Sequence, residues 1–299
     1  MKRFLAILLL CALFLCSCGT WGDDGKTDIV ATMFPQYDFA RNIAGDNANV
    51  SLLLDFGTDA HSYEPTPMDI MKIASADLFV YTGDEMEIWV KTLLESDDIK
   101  AATERGTLRI LDLSKSVTLI PMHDHDHGEY DSHIWTSPEN AMKMCEAIAA
   151  ALIEIDGENS SLYEDNLANY KTSLEELSAS AKALEKGEVF FGGSFAFRYL
   201  FSFAELLHCS IYEGCSSHAE PSATAIAEMV EQIRESGARY VLYDSPSEKK
   251  IAESIAAECG IEVLHLHAVH NITKAEFDAG EDYVSLMTKN IETLRKALS

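Results

Sequence analysis

Short apolar runs alternate with amphipathic helical patterns along most of the chain, and this alternation constrains the fold more than any other feature of the sequence. Runs typical of strands occupy 29–33, 50–54, 78–81, 189–191, 240–243 and 261–264. Thr66-Pro67 and Ser137-Pro138 indicate helix starts, because each pairs an N-cap residue with proline at the first helical position. A last helical pattern covers 274–298. Elements that alternate in this way form parallel sheets covered by helices, so we predict an α/β protein.

Between 159 and 186 the alternation gives way to one long helical pattern. Apolar residues recur at steps of four and three from Tyr163 to Leu184, and neither glycine nor proline occurs before Gly187. Such a helix would be about 42 Å long, which is enough to join two domains. We therefore predict two α/β lobes, each with a parallel sheet flanked by helices, over 28–158 and 187–299, joined by one rigid helix over 159–186. A single doubly wound domain is the alternative.

The first residues have the pattern of an export signal. A basic start, Met1-Lys2-Arg3, is followed by an apolar run over 4–15 that is short for a permanent membrane span. The run ends in Leu15-Cys16-Ser17-Cys18, which resembles the lipobox of bacterial lipoproteins. We predict a signal peptide over 1–17 and a tether over 18–27 lipidated at Cys18, which would anchor the protein to the outer face of the cytoplasmic membrane. A plain cleaved signal is the alternative.

The charge of the chain excludes one class of partner and favours another. Asp and Glu number 49 against 23 Lys and Arg, which gives a formal net charge of −26. Such a polyanion is repelled by nucleic acid and by anionic lipid headgroups, whereas metal cations are attracted. We therefore expect no nucleic-acid partner, and we expect the protein to be a monomer.

Four cysteines lie outside the leader, and they do not have the spacing of a metal site. No CxxC pair occurs among Cys145, Cys209, Cys215 and Cys259, which argues against a thiolate zinc site or a thioredoxin-like motif. Cys209 and Cys215 are close enough in sequence for a disulfide in an exported protein. Buried free thiols are an equal alternative.

Histidines follow several predicted strands, where open α/β sheets place their ligands. His61, His133 and His267 each lie in or next to such a loop. Neutral imidazoles suit zinc and similar borderline ions, so these three predict a metal site. A different group, His123, His125 and His127, alternates with acidic residues and lacks an apolar anchor. We predict an auxiliary metal loop of low affinity there, since a flexible segment loses entropy when it chelates; an acidic surface turn is the alternative.

Three segments together resemble the zinc- and manganese-binding lipoproteins of ABC importers. They are the loop over 57–67 with His61, the His-rich loop that continues into Asp131-Ser132-His133-Ile134-Trp135, and Glu220-Pro221-Ser222. The resemblance covers essentially the whole mature chain, including the long central helix. It implies a metal ion held between the lobes and delivered to an ABC permease in the cytoplasmic membrane.

The resemblance also implies which residues hold the metal. His61 and His133 match the first two family ligands, whereas Ser194 stands in place of the third, a histidine. His267 falls where the family has its fourth ligand, an acid, and His270 follows three residues later. We predict His61, His133 and His267 as ligands, with His270 or water completing the set. Further assignments are wall residues at Tyr63, Glu64 and Trp135, near-site residues at His218 and Glu220, and a structural role for His208.

The predicted function is high-affinity capture of a transition-metal ion without catalysis. Three imidazoles without a thiolate favour Zn²⁺, and the His-rich loop favours it over Mn²⁺. Because protons compete for imidazole nitrogen, we expect the affinity to fall as the pH drops through about 6–6.5. A surface adhesin that metal only stabilises is one alternative. An exported zinc hydrolase is another, although the sequence has no HExxH motif and only Glu64 as a general base.

Overall fold

The computed structural model describes residues 25–122, 129–212, 221–245 and 247–299. Within these ranges the prediction of two α/β lobes is confirmed, because two four-stranded, wholly parallel sheets are present. The predictions for Cys18, for His123, His125 and His127, and for Cys215, His218 and Glu220 fall outside the described residues. None of the helices in the described part of the chain is long and apolar enough to cross a membrane.

The two sheets have the same topology, with orders β2-β1-β3-β4 and β6-β5-β7-β8. The strands are β1 (Thr27–Ala31), β2 (Ala48–Leu52), β3 (Leu78–Tyr81), β4 (Arg109–Asp112), β5 (Glu188–Phe191), β6 (Leu207–Ser210), β7 (Tyr240–Tyr243) and β8 (Glu262–His265). In each sheet the first strand of the lobe is central. The second strand pairs with it on one side and the third strand on the other, so the direction in which strands are added reverses there. That change of direction creates a crevice at the carboxyl ends of the strands, where ligands bind in open α/β sheets.

Helices cover the two sheets and join them. They are α1 (Phe34–Ala44), α2 (Pro67–Ala74), α3 (Val90–Leu94), α4 (Asp97–Glu104), α5 (Pro138–Ile155), α6 (Ser160–Lys182), α7 (Arg198–Ala204), α8 (Ala223–Ser236), α9 (Lys249–Cys259), α10 (Lys274–Asp278) and α11 (Tyr283–Ala297). Thr66 caps α2 as predicted, in a capping box with Asp69. Proline begins α5, also as predicted.

The connecting helix α6 joins the lobes but is shorter than the predicted span of 159–186. It begins at Ser160, after a 3-10 turn, and ends at Lys182. Leu184 is buried beyond the helix end, and the chain turns towards β5 through Gly187, where a Cβ would lie 3.0 Å from Leu298. The periodicity therefore continued past the true end of the helix, because Leu184 packs in the core without being helical.

Asp38, on α1, ties α6 to the last helix. Its Oδ2 accepts a hydrogen bond from the Tyr170 hydroxyl on α6 (3.0 Å) and another from the backbone N–H of Tyr283, where α11 begins (3.2 Å). Burial, the nearby Asp282 charge and only partial compensation by these bonds raise the pKa of Asp38 to about 6. Three helices that are distant in sequence thus meet at one buried carboxyl group.

The chain after β8 returns to the N-terminal lobe. Asn271 Nδ2 donates to the carbonyls of Asp55 (2.9 Å) and Thr58 (2.8 Å), and the Gly57 N–H donates to the carbonyl of Ile272 (3.1 Å). Gly57 has φ +79°, a conformation that favours glycine. The predicted single helix over 274–298 is broken into α10 and α11 by Gly280 and the Asp282 cap. This break lets α11 begin against α1.

Candidate metal-binding site

His61 and His133 approach each other from two loops of the N-terminal lobe, one after β2 and one after β4. Their ring centroids lie 6.0 Å apart. The His61 N–H donates to Asp59 Oδ1 at 3.0 Å, so the loop is held locally at this residue. Burial, followed by the charge of His133, lowers the pKa of His61 to about 4, and Asp59 and Asp131 oppose this only in part. His61 is therefore neutral at physiological pH, as a metal ligand must be.

Asp131 fixes the orientation of His133. Its Oδ1 accepts the His133 N–H at 2.8 Å and lies 3.0 Å from the ring Nδ1. Burial would raise the pKa of Asp131, but His133 and the Arg198 guanidinium more than compensate and lower it. Because Nδ1 is engaged by a carboxylate, Nε2 is the nitrogen through which His133 would bind a metal.

His270 is the third member of this cluster. Burial, followed by the charge of His133, lowers its pKa to about 4, and His61 and His267 act in the same direction. Its carbonyl accepts the N–H of Phe34, from the start of α1, at 3.4 Å. The backbone of His270 is thus attached to the N-terminal lobe, although the residue comes after the last strand of the other sheet.

His267, which the sequence favours as a ligand, lies differently. Its Nδ1 accepts the Val269 N–H at 2.9 Å, and its Nε2 is 3.6 Å from Glu276 Oε1. Burial lowers the pKa of His267 to about 4, while Glu276 opposes the shift. The largest effects of neighbouring charges on its pKa come from Glu276, His265, Glu281 and Lys289.

The C-terminal lobe contributes two buried carboxyl groups that the sequence reasoning missed. Asp244 follows β7 and is 7% exposed, and Glu248 precedes α9 and is 5% exposed. Burial, then the charge and hydrogen bond of Glu248, raise the pKa of Asp244 well above its usual range, and His133 opposes this. A carboxyl group directly after a strand was the available signal, but its burial beside His133 depends on the packing of the two lobes.

Ser194, which the resemblance places at the position of the family's third histidine, hydrogen-bonds to Glu248. Its N–H donates to Glu248 Oε1 at 3.0 Å and its hydroxyl to the same oxygen at 2.5 Å. A Cβ on Gly193 would lie 2.3 Å from Glu248 Oε2, so only glycine allows the carboxylate to approach this closely. The carboxylate of Glu248 therefore lies against the loop that follows β5.

Of the predicted wall residues, Trp135 contacts one of the histidines directly. Its ring is buried, lies 5.4 Å from the His133 ring between centroids, and donates from Nε1 to the Ala268 carbonyl at 2.9 Å. The Tyr63 ring packs edge-on against Trp89 at 5.1 Å, and its hydroxyl donates to Asp69 at 2.8 Å. His208 stacks on Phe195 with ring centroids 3.6 Å apart.

The histidine cluster has the chemistry of a zinc site but is slightly too open to hold the ion as it stands. Two imidazoles on one tetrahedral zinc have ring centroids about 5 Å apart, since each Zn–N bond is about 2.0–2.1 Å. The His61–His133 separation of 6.0 Å exceeds this by roughly 1 Å. Within the described ranges, no three side chains of His, Cys, Asp or Glu form a group close enough to coordinate a metal.

Comparison with known proteins identifies close matches over nearly the whole chain. The profile of the family described as "ZnuA: Zinc-uptake complex component A periplasmic" matches residues 29–297. The zinc-binding lipoprotein AdcA of Streptococcus pneumoniae (TIGR4) is 35% identical over 99% of this chain. The chain spans only 60% of the length of that relative. The high-affinity zinc uptake system protein ZnuA of Bacillus subtilis is 31% identical, and the match covers 98% of this chain and 97% of that protein.

Solved structures show the same similarity. The Zn(II)-bound ZnuA-like domain of Streptococcus pneumoniae AdcA matches with a TM-score of 0.78 and 31% identity, over 92% of this chain and 99% of that domain. The metal-dependent lipoprotein YcdH of Bacillus subtilis also gives a TM-score of 0.78 and 31% identity, over 91% of this chain and 99% of its own.

Proposed function

On the premise that this chain belongs to the family of zinc-uptake complex component A proteins, whose profile covers residues 29–297, we propose that it captures Zn²⁺ outside the cytoplasm for import through an ABC permease. The family resemblance predicted from the sequence is confirmed by this match. Members of the family are components of an uptake complex, so the chain is a binding protein and not an enzyme. Neither the adhesin nor the hydrolase alternative gains support from it.

The grouping of His61, His133 and His270 is the observation that carries the proposal. These histidines come from three separate loops, and the electrostatic influence of His133 reaches both of the others. The low pKa values of His61 and His270, about 4, keep both imidazoles neutral and able to bind a metal. Three imidazole nitrogens without a thiolate suit Zn²⁺ better than the harder Mn²⁺.

We assign the metal to these three imidazoles and a fourth position to water or to Asp244, whose carboxyl group influences His133 from the C-terminal lobe. Tetrahedral zinc with three protein nitrogens commonly takes water or a carboxylate oxygen as its fourth ligand. The prediction that His267 is itself a ligand stays a prediction. The hydrogen bond at its Nδ1 and the proximity of Glu276 to its Nε2 favour a different role for this residue.

The family indicates the compartment in which the protein works, and the sequence suggests how it is attached to the membrane. The family is described as periplasmic, and the pneumococcal relatives are named lipoproteins. We propose that this chain is likewise held to the outer face of the cytoplasmic membrane by lipid on Cys18, and that it meets its permease as a monomer. We also propose that the segment with His123, His125 and His127 collects metal weakly.

Titration calorimetry with zinc and with manganese on the full chain, purified in detergent, tests the function. We expect one tight zinc equivalent and weaker manganese binding. Alanine at His61, His133 or His270 should each lower the zinc affinity by about two orders of magnitude or more, because each removes one of three donors and leaves the site incomplete.

His265→Ala is the matched control, since this histidine is exposed and stacks on Tyr243 instead of joining the cluster. Its zinc affinity should stay within a few-fold of the wild type. If the wild-type chain binds no zinc tightly, or if all four variants bind it equally well, the proposed function is wrong.

A further inference from the structure

The backbone at Val269 adopts a conformation that its side chain disfavours. Its φ is +59°, in the left-handed region, and apart from glycines only Glu205 shares a positive φ in the described part of the chain. Valine is branched at Cβ and is a genuine outlier there, unlike the glycine or asparagine usually found in this region. The side chain is completely buried, so the conformation is enforced by packing around it. Strain of this kind persists where the surrounding structure requires it.

His267 supplies the contact that stabilises this turn. Its Nδ1 accepts the Val269 N–H at 2.9 Å, across the same two-residue step that an Asp or Asn side chain bridges in an Asx-turn. The backbone of His267 is itself clamped by Asn290 on α11, which accepts its N–H at 2.8 Å and donates to its carbonyl at 2.7 Å.

The other nitrogen of His267 faces an acid. Because Nδ1 accepts a hydrogen bond in the neutral ring, Nε2 carries the proton, and it lies 3.6 Å from Glu276 Oε1. Glu276 is fixed in turn by the capping box of α10, where its Oε2 accepts from the N–H and the hydroxyl of Thr273. A metal bond at Nδ1 would break the turn, and one at Nε2 would require the ring to give up its proton and turn from Glu276.

Both neighbours of Val269 are attached to the N-terminal lobe. The Ala268 carbonyl accepts from Trp135 Nε1 at 2.9 Å, and the His270 carbonyl accepts from the Phe34 N–H at 3.4 Å. A change at Val269 would rotate the peptides on either side, and those peptides determine where the His270 side chain points. The turn over 267–270 therefore connects the position of His270 to a hydrogen bond made by His267.

We propose that His267 is a positioning residue, which holds Val269 in its left-handed conformation and so directs His270 into the metal site, and that it is not a ligand. This inference rests on the proposed function, because it presupposes that His270 binds zinc. What this position requires is a hydrogen-bond acceptor for the Val269 N–H, which Nδ1 supplies. The ability of the imidazole to bind metal is not required there.

Two substitutions separate positioning from ligation, with zinc affinity measured by competition with a chelator at neutral pH. His267→Asn keeps an acceptor that reaches the N–H two residues on, but it replaces the imidazole by an amide, which is a poor zinc ligand. We expect His267→Ala to lower the affinity at least tenfold and His267→Asn to remain within about threefold of the wild type. If the asparagine variant loses as much affinity as the alanine variant, His267 is a ligand and the inference fails.

Relief of the backbone strain gives a second, independent test. Glycine adopts positive φ without steric cost, so Val269→Gly should make the turn less dependent on its hydrogen bond. The double variant His267→Ala with Val269→Gly should recover most of the affinity lost in His267→Ala. A ligand role predicts no recovery, because glycine at 269 cannot replace a missing donor to zinc.

Two further measurements distinguish loss of zinc binding from failure to fold and count the imidazole ligands directly. Thermal unfolding without zinc identifies any variant that fails to fold, and the double variant then decides the question among those that do. X-ray absorption of the zinc-loaded His267→Asn variant should show as many imidazole ligands as the wild type; one fewer would overturn the inference. Failure of the wild type to bind zinc would instead contradict the proposed function, which keeps the two failures distinct.

Discussion

At the scale of single residues, the orientation of His133 depends on one buried carboxylate. Asp131 Oδ1 accepts from the His133 backbone and contacts its Nδ1, while Asp131 Oδ2 lies 3.5 Å from Arg198 Nε. Arg198 begins α7 of the C-terminal lobe, so the carboxylate that orients the His133 ring also contacts the opposite lobe. Carboxylates in this position fix the histidine tautomer and increase the basicity of the nitrogen that binds metal.

We expect Asp131→Asn to lower the zinc affinity by about 10–100-fold while the protein stays folded, because such partners typically have effects of this size when replaced. Chelator competition measures the affinity, and circular dichroism checks the fold. Asp59→Asn is the matched control, since Asp59 is exposed and, within the described part of the chain, hydrogen-bonds to the His61 backbone and to Ser62 but to no imidazole ring. Equal losses in both variants would contradict a specific role for Asp131.

The proposed site residues differ in how readily they can be identified from the sequence. His61 and His133 could be proposed from the sequence, because His61 lies in a glycine-containing loop after a predicted strand and His133 lies just before a capped helix. His267 and His270 are only three residues apart, and the backbone between them includes the left-handed conformation of Val269, which no sequence pattern indicates. Asp244 could not be chosen, because its proximity to His133 depends on contact between the two lobes.

At the scale of secondary-structure elements, α6 is more than a connector, because Tyr170 carries one of the hydrogen bonds to the buried Asp38. Removing the hydroxyl leaves that carboxylate with the Tyr283 N–H as its remaining partner among the bonds described above. A charged or polar group that loses a hydrogen bond in the interior costs roughly 1–3 kcal/mol.

Tyr170→Phe should therefore lower the unfolding temperature of the metal-free protein by several degrees, as about 2–4 °C per kcal/mol is usual for a chain somewhat smaller than this. Differential scanning calorimetry measures the shift. Tyr163→Phe, on the same helix, is the control: its hydroxyl donates to Asp156, which is only half-buried and can be solvated instead. A larger effect at Tyr163 than at Tyr170 would refute the argument.

The elements that the periodicity missed share a physical cause. β4 and β6 are edge strands of four residues, and Arg109–Asp112 and Leu207–Ser210 each contain polar residues and at most two adjacent large apolar ones, too few to mark a strand. The central strand β3 is buried at every position and was found with its exact bounds. The edge strand β8 was also found, because Ile261 before it extends the apolar pattern. Two α/β lobes could be predicted because most strands and the helix starts carry strong signals, whereas the shortest apolar segments and the helix ends do not.

At the scale of the whole molecule, the burial of the histidines moves the pH range of metal binding. The pKa values of His61 and His270 are lowered to about 4, so both imidazoles stay neutral well below the ordinary value of 6.5. The sequence alone placed the fall of affinity at about pH 6–6.5, which holds for solvated imidazoles. Their folded pKa values also mean that the stability these groups contribute is present above pH 6.5 and is lost as the pH falls through 4.

Protonation of His61 and of His270 should therefore cost little zinc affinity from pH 7.5 to about pH 5, and below that it should cost about tenfold per pH unit for each of these imidazoles. Competition with a chelator of known pH dependence measures this. A fall that begins near pH 6.5 would contradict the expectation, and it would show that the histidines of the metal-free chain are in contact with water.

The return of the chain to the N-terminal lobe after β8 has a consequence for how an ion could leave the site. His61 and His133 lie on loops of that lobe, and the His270 backbone is attached to it through the Phe34 N–H. The opposite lobe contacts it through the Tyr199 hydroxyl, which donates to the Asp131 carbonyl at 2.7 Å. If these three imidazoles hold zinc, as we propose, opening of the lobes at such contacts would expose one flank of the ion before any ligand had to leave it.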